Sequence, residues 1–228
     1  SYHTPFDINT PDDIQIEQFM QLLRESARPV VLAGNGVRLS GATEQIKDFV
    51  ISRNIPMVNT FLSADLMHSG DFLNIGRVGI KGNRAANFAM QNSDLLIDEK
   101  EHKKGTVKIH KFIKSDAKEF LNKCDNFKCI APADWSDQCH KWKTSWSNLP
   151  DGVEDDSDGI SMYYFMDHLS KNNKKNSVIV SDAGSAYYVT SQSLKISNEQ
   201  RYITSGAQAD MGFTIPACIG VANASEKN

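Results

Sequence analysis

The chain has 228 residues, which allows one large domain or two small ones. Its 40% hydrophobic content supports a core, and a net charge of −3 leaves no electrostatic footprint for nucleic acid or an anionic membrane. No apolar run approaches bilayer length, and the start SYHTPFDINTPDD has neither the basic flank nor the apolar centre of a signal peptide, so a cytoplasmic protein is expected.

Residues 1–9 read as extended. Thr10-Pro11-Asp12-Asp13 then reads as a helix start, with Thr10 as N-cap, Pro11 at the first helical position and acids in the first turn. Ile16, Phe19, Met20 and Leu23 form the apolar face of this helix, and Pro29 ends it. Val30-Val31-Leu32-Ala33 is a continuous apolar run, the pattern of a strand buried on both faces of a parallel sheet. After the turn Gly34-Asn35-Gly36, Ser40 is expected to cap a helix whose buried side carries Ile46, Phe49 and Val50. Pro56-Met57-Val58 reads as a second strand. A loop from Asn59 to Gly82 leads to a helix from about Arg84 to Gln91, and Asp94-Leu95-Leu96-Ile97 reads as a third strand. This alternation predicts a parallel-sheet α/β domain.

Ile97 runs directly into the charged stretch DEKEHKKG, where a buried parallel strand would ordinarily feed a loop and a crossover helix. Two explanations fit. The connection is tight, or a segment of roughly 30 residues, about one βαβ unit, is missing between Ile97 and Asp98; the second is expected. Further on, Ser115 can cap a helix bearing Ala117, Phe120 and Leu121. Trp135, Cys139, Trp142 and Trp146 recur at helical spacing as packing anchors. Asn148 to Asp158 (NLPDGVEDDSD) is the linker candidate. The chain thus divides into residues 1–147, the linker 148–158, and residues 159–228. The last part opens with a helix near Ile160–Ser170 and a strand at Val178–Val180.

The four cysteines, Cys124, Cys129, Cys139 and Cys218, have no zinc-ligand spacing, with or without His140, and fit reduced thiols. The six histidines are isolated. Two segments carry site-like chemistry. SDAGSAYY puts Gly184, Ser185 and Ala186 at the carboxyl end of a strand, where helix N-terminal amides suit phosphate. In RYITSGAQADMGFTIPACIGVANA (201–224), a strand at Arg201–Thr204 runs through Ser205-Gly206 and Ala209-Asp210-Met211 into an apolar helix with Pro216 in its first turns. Small residues there let backbone approach a ligand, and one large polarizable side chain, Met211, stands among them. Taken alone, that Met reads as a core residue.

The 201–224 segment resembles the start of the diphosphate-binding domain of thiamine-diphosphate-dependent enzymes, in the acetolactate synthase and pyruvate oxidase branch, where the corresponding stretch reads much like TSGGLGAMGFGLPAAIGA. The resemblance covers nearly the whole chain, most clearly residues 29–97 and 177–224. It implies a three-layer middle α/β domain followed by part of a parallel-sheet diphosphate-binding domain. It also implies thiamine diphosphate and Mg²⁺ as cofactors, a 2-oxo acid such as pyruvate as substrate, and a homodimer or homotetramer. By the resemblance, the Gly184-Ser185-Ala186 loop contacts the diphosphate, the Ala209 carbonyl accepts from the cofactor's amino group, and Met211 holds the cofactor bent. Ser205, Gly206 and Asp210 belong to the same surface. Ser185 and Ala186 stand where acetolactate synthases usually carry Gln and His, so side-chain donors are fewer.

The family's FAD-binding loops correspond to Gly34-Asn35-Gly36 and to Gly79-Ile80-Lys81-Gly82, where relatives read GMHG. FAD is one reading of these loops, and turn glycines that serve helix–sheet packing are the preferred one. The family's catalytic Glu would precede residue 1, and its magnesium motif would begin just after Asn228, so residues 1–228 alone are expected to be inactive. The leading activity is acetolactate synthase-like carboligation. The rivals are a related 2-oxo acid decarboxylase or lyase, and a non-catalytic nucleotide-binding regulatory module.

Overall fold

The computed structural model describes residues 10–98, 111–146, 159–206 and 208–225. Its first unit is a four-stranded parallel sheet in the order β3-β2-β1-β4, formed by β1 (Pro29–Ala33), β2 (Met57–Asn59), β3 (Asn74–Arg77) and β4 (Leu95–Asp98). Side chains along a strand alternate between faces, and this sheet is covered on both. Val31, Ala33 and Met57 face a core built by α1 (Asp13–Glu25), α3 (Thr43–Arg53) and α5 (Ala117–Cys124). Val30, Leu32 and Val58 face the opposite core with Ala85, Ala86 and Ala89 of α4 (Arg84–Asn92) and Trp135 and Cys139 of α6 (Ala133–Ser145). The expected three-layer α/β fold is therefore the observed one. The Trp135 indole N–H donates to the Pro29 carbonyl at 3.0 Å, which satisfies its polar atom in an apolar place. Trp142 and Trp146 pack beside it, as anchors of the kind the spacing implied.

Four local readings need correction. Helix α1 is capped by Asp12 and not Thr10. The Asp12 carboxylate accepts from the Gln15 amide at 2.7 Å, and the Gln15 side chain accepts from the Asp12 amide at 3.1 Å. Such a reciprocal box satisfies two donors, where Thr10 would satisfy one. Asp12→Ala should therefore cost about 1 kcal/mol in urea unfolding. Ser40 ends the short helix α2 (Gly36–Leu39) and does not start the next one, which begins at Thr43. Asp116, and not Ser115, caps α5, accepting from the amides of Lys118 and Glu119. The stretch from Asn59 to Gly82 is not only loop: it contains a 3-10 turn at Phe61–Ser63 and the edge strand β3.

Strand β4 continues through Ile97 and Asp98, opposite Val31 and Leu32. The residues that follow, 99–110, and the linker candidate 148–158 lie outside the described residues, as does the extended start 1–9. The four cysteines are free, as expected, and His140 stacks on Phe72 at 4.3 Å. No helix among the described residues is long and apolar enough to cross a membrane.

The second unit comprises α7 (Met162–Asn172), β5 (Val178–Ser181), α8 (Gly184–Ser193), β6 (Arg201–Thr204) and α9 (Thr214–Ser225), with β5 and β6 paired in parallel. Its small core of Leu194, Ile196 and Tyr202 includes Ala64 of the first unit. The seam between the units is also polar. Arg77 donates to the Leu194 carbonyl at 2.8 Å, and the Ser69 amide donates to the Ile196 carbonyl at 2.8 Å. The Asp65 carboxylate, 1% exposed, receives Arg38 at 2.5 Å from its own unit. From the second unit it receives the Arg201 Nε at 2.7 Å and the Tyr202 amide at 3.1 Å. This carboxylate therefore fixes the origin of β6, and β6 leads into the candidate site.

Candidate functional site

Two parallel strands that end side by side present two loops at one edge. β5 ends at Ser181 and β6 at Thr204, and these residues are register partners. The Ser181 hydroxyl and the Tyr202 hydroxyl lie 2.7 Å apart and lock the strand ends together. The loop after β5 enters α8 at Gly184, whose φ of +63° suits glycine. The N-cap, Ala183, offers no side-chain cap to the helix. The first amides of an uncapped α-helix have no intrahelical partner and carry the positive end of the helix dipole. Here they belong to Gly184 and Ser185, which are exposed, and Ala186, which is half-buried.

The loop after β6 is wound around Ser205. Its carbonyl accepts from the Gln208 and Ala209 amides at 2.9 and 2.7 Å, and its hydroxyl accepts from the Asp210 amide at 3.0 Å. These bonds hold Ala209 at φ +57°, a left-handed conformation that disfavours a residue with a Cβ. Gly206 lies against Tyr187 of α8, and an added Cβ would stand 2.9 Å from the ring. Tyr187 is itself buried edge-on to Phe61 at 5.2 Å, and burial pushes its phenol up to about 12. Gly206→Ala should therefore destabilise by about 1–3 kcal/mol through overpacking, read as a lower urea midpoint at unchanged slope.

Met211 is 90% exposed, so the core reading of this residue fails. After it, Gly212 (φ +83°) turns the chain into α9. Pro216 sits within the first turn of α9, where a missing N–H leaves no helical bond unmade.

Asp182 joins the two loops. Its carboxylate accepts from the Ala183 amide at 2.8 Å, from the Gly212 amide at 3.0 and 3.1 Å, and from the Thr214 amide at 3.4 Å. The Ala183 amide, with those of Thr214 and Gly212, holds this carboxyl below the usual aspartate range against the opposing effect of burial. Asp182 brings the Gly184 loop and the Met211 turn into one surface. The sequence reading passed over it, although an Asp between a strand and a glycine that opens a helix was a visible signal. All eight residues expected at the site, Gly184, Ser185, Ala186, Ser205, Gly206, Ala209, Asp210 and Met211, lie on these two loops or at the start of α8.

The other candidate loops lie elsewhere. Gly34-Asn35-Gly36 follows β1, at the point where the sheet order reverses between β1 and β4. Gly34 faces open space. In Gly79-Ile80-Lys81-Gly82, a Cβ on Gly82 would meet the Arg77 carbonyl at 2.3 Å, which is the packing role expected of a turn glycine. Among the described residues, no group of three or more His, Cys, Asp or Glu could hold a metal ion.

Comparison with known proteins gives this geometry a context. The family of thiamine pyrophosphate enzyme central domains matches residues 16–98, the segment that builds the first sheet. The acetolactate synthase large subunit of Lactococcus lactis is 26% identical over 235 residues, covering 91% of this chain and 41% of that protein. The acetolactate synthase isozyme 2 large subunit of Escherichia coli is 24% identical, covering 90% of this chain and 42% of that protein. The probable acetolactate synthase large subunit of Methanococcus aeolicus is 37% identical over 83 residues, 36% of this chain and 14% of that protein. The chain thus spans about two fifths of the length of the first two relatives. Residues 16–98 form a central domain of the thiamine pyrophosphate enzyme type, and nine tenths of the chain is similar to acetolactate synthase large subunits.

Proposed function

We propose that this chain supplies the central domain and the opening part of the diphosphate-binding domain of an enzyme that decarboxylates a 2-oxo acid such as pyruvate and joins the remaining fragment to an acceptor. The observation that carries this reading is the single surface tied together by Asp182: an uncapped α8 N-terminus beside an exposed Met on a tight turn. Free amides at a helix N-terminus fit a diphosphate, and the open space beside Gly184 and Gly212 leaves room for one. Thiamine diphosphate, when bound, supplies an electron sink for breaking a carbon–carbon bond next to a carbonyl.

The chain's own residues have distinct tasks in this reading. The Gly184, Ser185 and Ala186 amides hold the diphosphate. Ser205, Gly206 and Asp210 line its path. The Ala209 carbonyl accepts a hydrogen bond from the amino group of the ring, and the left-handed turn held by Ser205 fixes the carbonyl's position. Met211, exposed on the tight turn, would pack against thiamine diphosphate when bound and help orient it. The active assembly is a cytoplasmic homodimer or homotetramer in which the partner copy holds the pyrimidine end.

Ser185 and Ala186 favour a second reading of the substrate. They offer fewer side-chain donors than the Gln and His usual in acetolactate synthases, so a 2-oxo acid other than pyruvate fits the same site. The test is product analysis with the full-length protein, thiamine diphosphate, Mg²⁺ and a panel of 2-oxo acids. Cofactor-dependent CO₂ release with acetolactate formed from pyruvate supports carboligation, aldehyde as sole product supports a decarboxylase, and no CO₂ from any of them contradicts the reading.

A further inference from the structure

The seam between the two units carries an open cleft of about 540 Å³, within the size range of small-molecule sites. It lies apart from both places already discussed. Neither the Gly34 turn nor the Gly184 and Met211 loops line it. Its walls come from the β3 edge, the end of α6, the end of α7 and the segment after α8.

The lining is cationic. Arg77 and Lys143 line it from the first unit and Lys175 and Lys195 from the second, and among the described residues no Asp or Glu lines it. Arg77 is 6% exposed. One of its guanidinium nitrogens donates to the Leu194 carbonyl, its Nε has no partner, and it makes no ion pair among the described residues. Burial lowers it to about 10, which leaves it charged at neutral pH. A buried cation without a counter-charge is costly. Lys143 is half-buried; it donates to the Asp71 carbonyl at 2.8 Å and has the Asp71 carboxylate near enough to act on its charge. Lys195 shares one carboxylate, Asp167, with Lys171. Two further lining side chains keep buried polar atoms without partners, the Asn59 Oδ1 and the Asn173 Nδ2.

We propose that this seam cleft binds a small polyanion, a molecule bearing a diphosphate or equivalent group, gripped by Arg77 and Lys143 on one side and by Lys175 and Lys195 on the other. Each unit supplies half of the cationic grip, so the ligand ties the units together. Because the Ser205–Met211 loop leaves the same unit, occupancy stiffens the base on which that loop stands. The site stands whether or not the chain binds thiamine diphosphate.

The test is calorimetric titration of the full-length protein with inorganic pyrophosphate and, separately, with ADP, both in the presence of excess thiamine diphosphate. The comparison variant is Lys143→Gln/Lys175→Gln. Arg77 is left intact because it also holds the Leu194 carbonyl. Binding should weaken by about tenfold or more in the double variant, since two charge-assisted contacts are lost. It should be unchanged in Met211→Ala, whose residue lies in the other site. ADP tighter than pyrophosphate identifies a nucleoside diphosphate, and equal affinities identify the diphosphate group alone as the recognised part. No binding of either probe, or equal binding by wild type and the double variant, overturns the proposal.

Discussion

Asp65→Ala should lower the stability of the protein by about 3 kcal/mol. The carboxylate is 1% exposed and answers Arg38, Arg201 and the Tyr202 amide together. Removing it leaves two guanidinium groups facing one another across a buried gap. Arg38 and Arg201 keep 22% and 47% of their side-chain exposure and can turn to water, which places the cost at the lower end of the range for broken buried pairs. An exposed pair such as Lys47–Glu44 should change stability by only about 0.5 kcal/mol when broken. The distinguishing readout is where the loss occurs. Asp65 joins β6 to the first unit, so hydrogen exchange in Asp65→Ala should rise first in Arg201–Thr204 and the turn beyond, ahead of β1 and β2. Uniform loss of protection across both units would place Asp65 in the general core and not at the seam.

Much of the first unit was legible from residue pattern. The unbroken Val30–Ala33 run marks a strand with both faces covered, and it occupies a central position with cores on each side. Strand β3 was not legible, because NIGR has neither alternation nor an apolar run. Its strand character comes from pairing with β2 and from Asn74, whose side chain donates to the Met67 and His68 carbonyls and accepts from Asn59. Cap positions slipped by one or two residues because Thr10, Asp12, Ser115 and Asp116 all have suitable side chains. Only the geometry of the first turn decides among them.

At the site, the small residues and Met211 were visible in the sequence. Asp182 stood in view between a strand and a helix-opening glycine, but its role as the tie did not, since its partners Gly212 and Thr214 lie 30 and 32 residues further on. The same limit hid the seam: Asp65 and Arg201 are 136 residues apart, and no periodicity links them.

Met211→Ala in the full-length enzyme should lower turnover by about 10- to 100-fold while changing cofactor affinity far less. The side chain is 90% exposed, so its truncation leaves no core cavity, and the fold should lose little stability. The contacts assigned to the diphosphate are backbone amides of α8, which the substitution leaves in place. What is lost is the bulk that helps orient the cofactor, and a misplacement of about 1 Å near reacting atoms costs on the order of 100-fold. Met211→Leu, which keeps volume, should restore most of the turnover. Equal turnover in Met211→Ala and wild type would remove this residue from the site, and a parallel loss of affinity would make it a binding residue and not a shaping one.

The central claim is that the α8 N-terminus is a diphosphate site, and Ser185→Asp tests it most directly. A carboxylate in the first turn of α8 complements the helix dipole, so stability should hold or rise slightly. The same charge stands where the diphosphate is assigned and should repel it. Thiamine diphosphate binding with Mg²⁺ should be measured by calorimetry on the full-length wild type and on Ser185→Asp, beside thermal unfolding of both. The account predicts saturable binding by the wild type, at least about a 100-fold weaker affinity in the variant, and an unfolding midpoint that does not fall. Equal affinity in the two proteins, or no binding by the wild type, would contradict it.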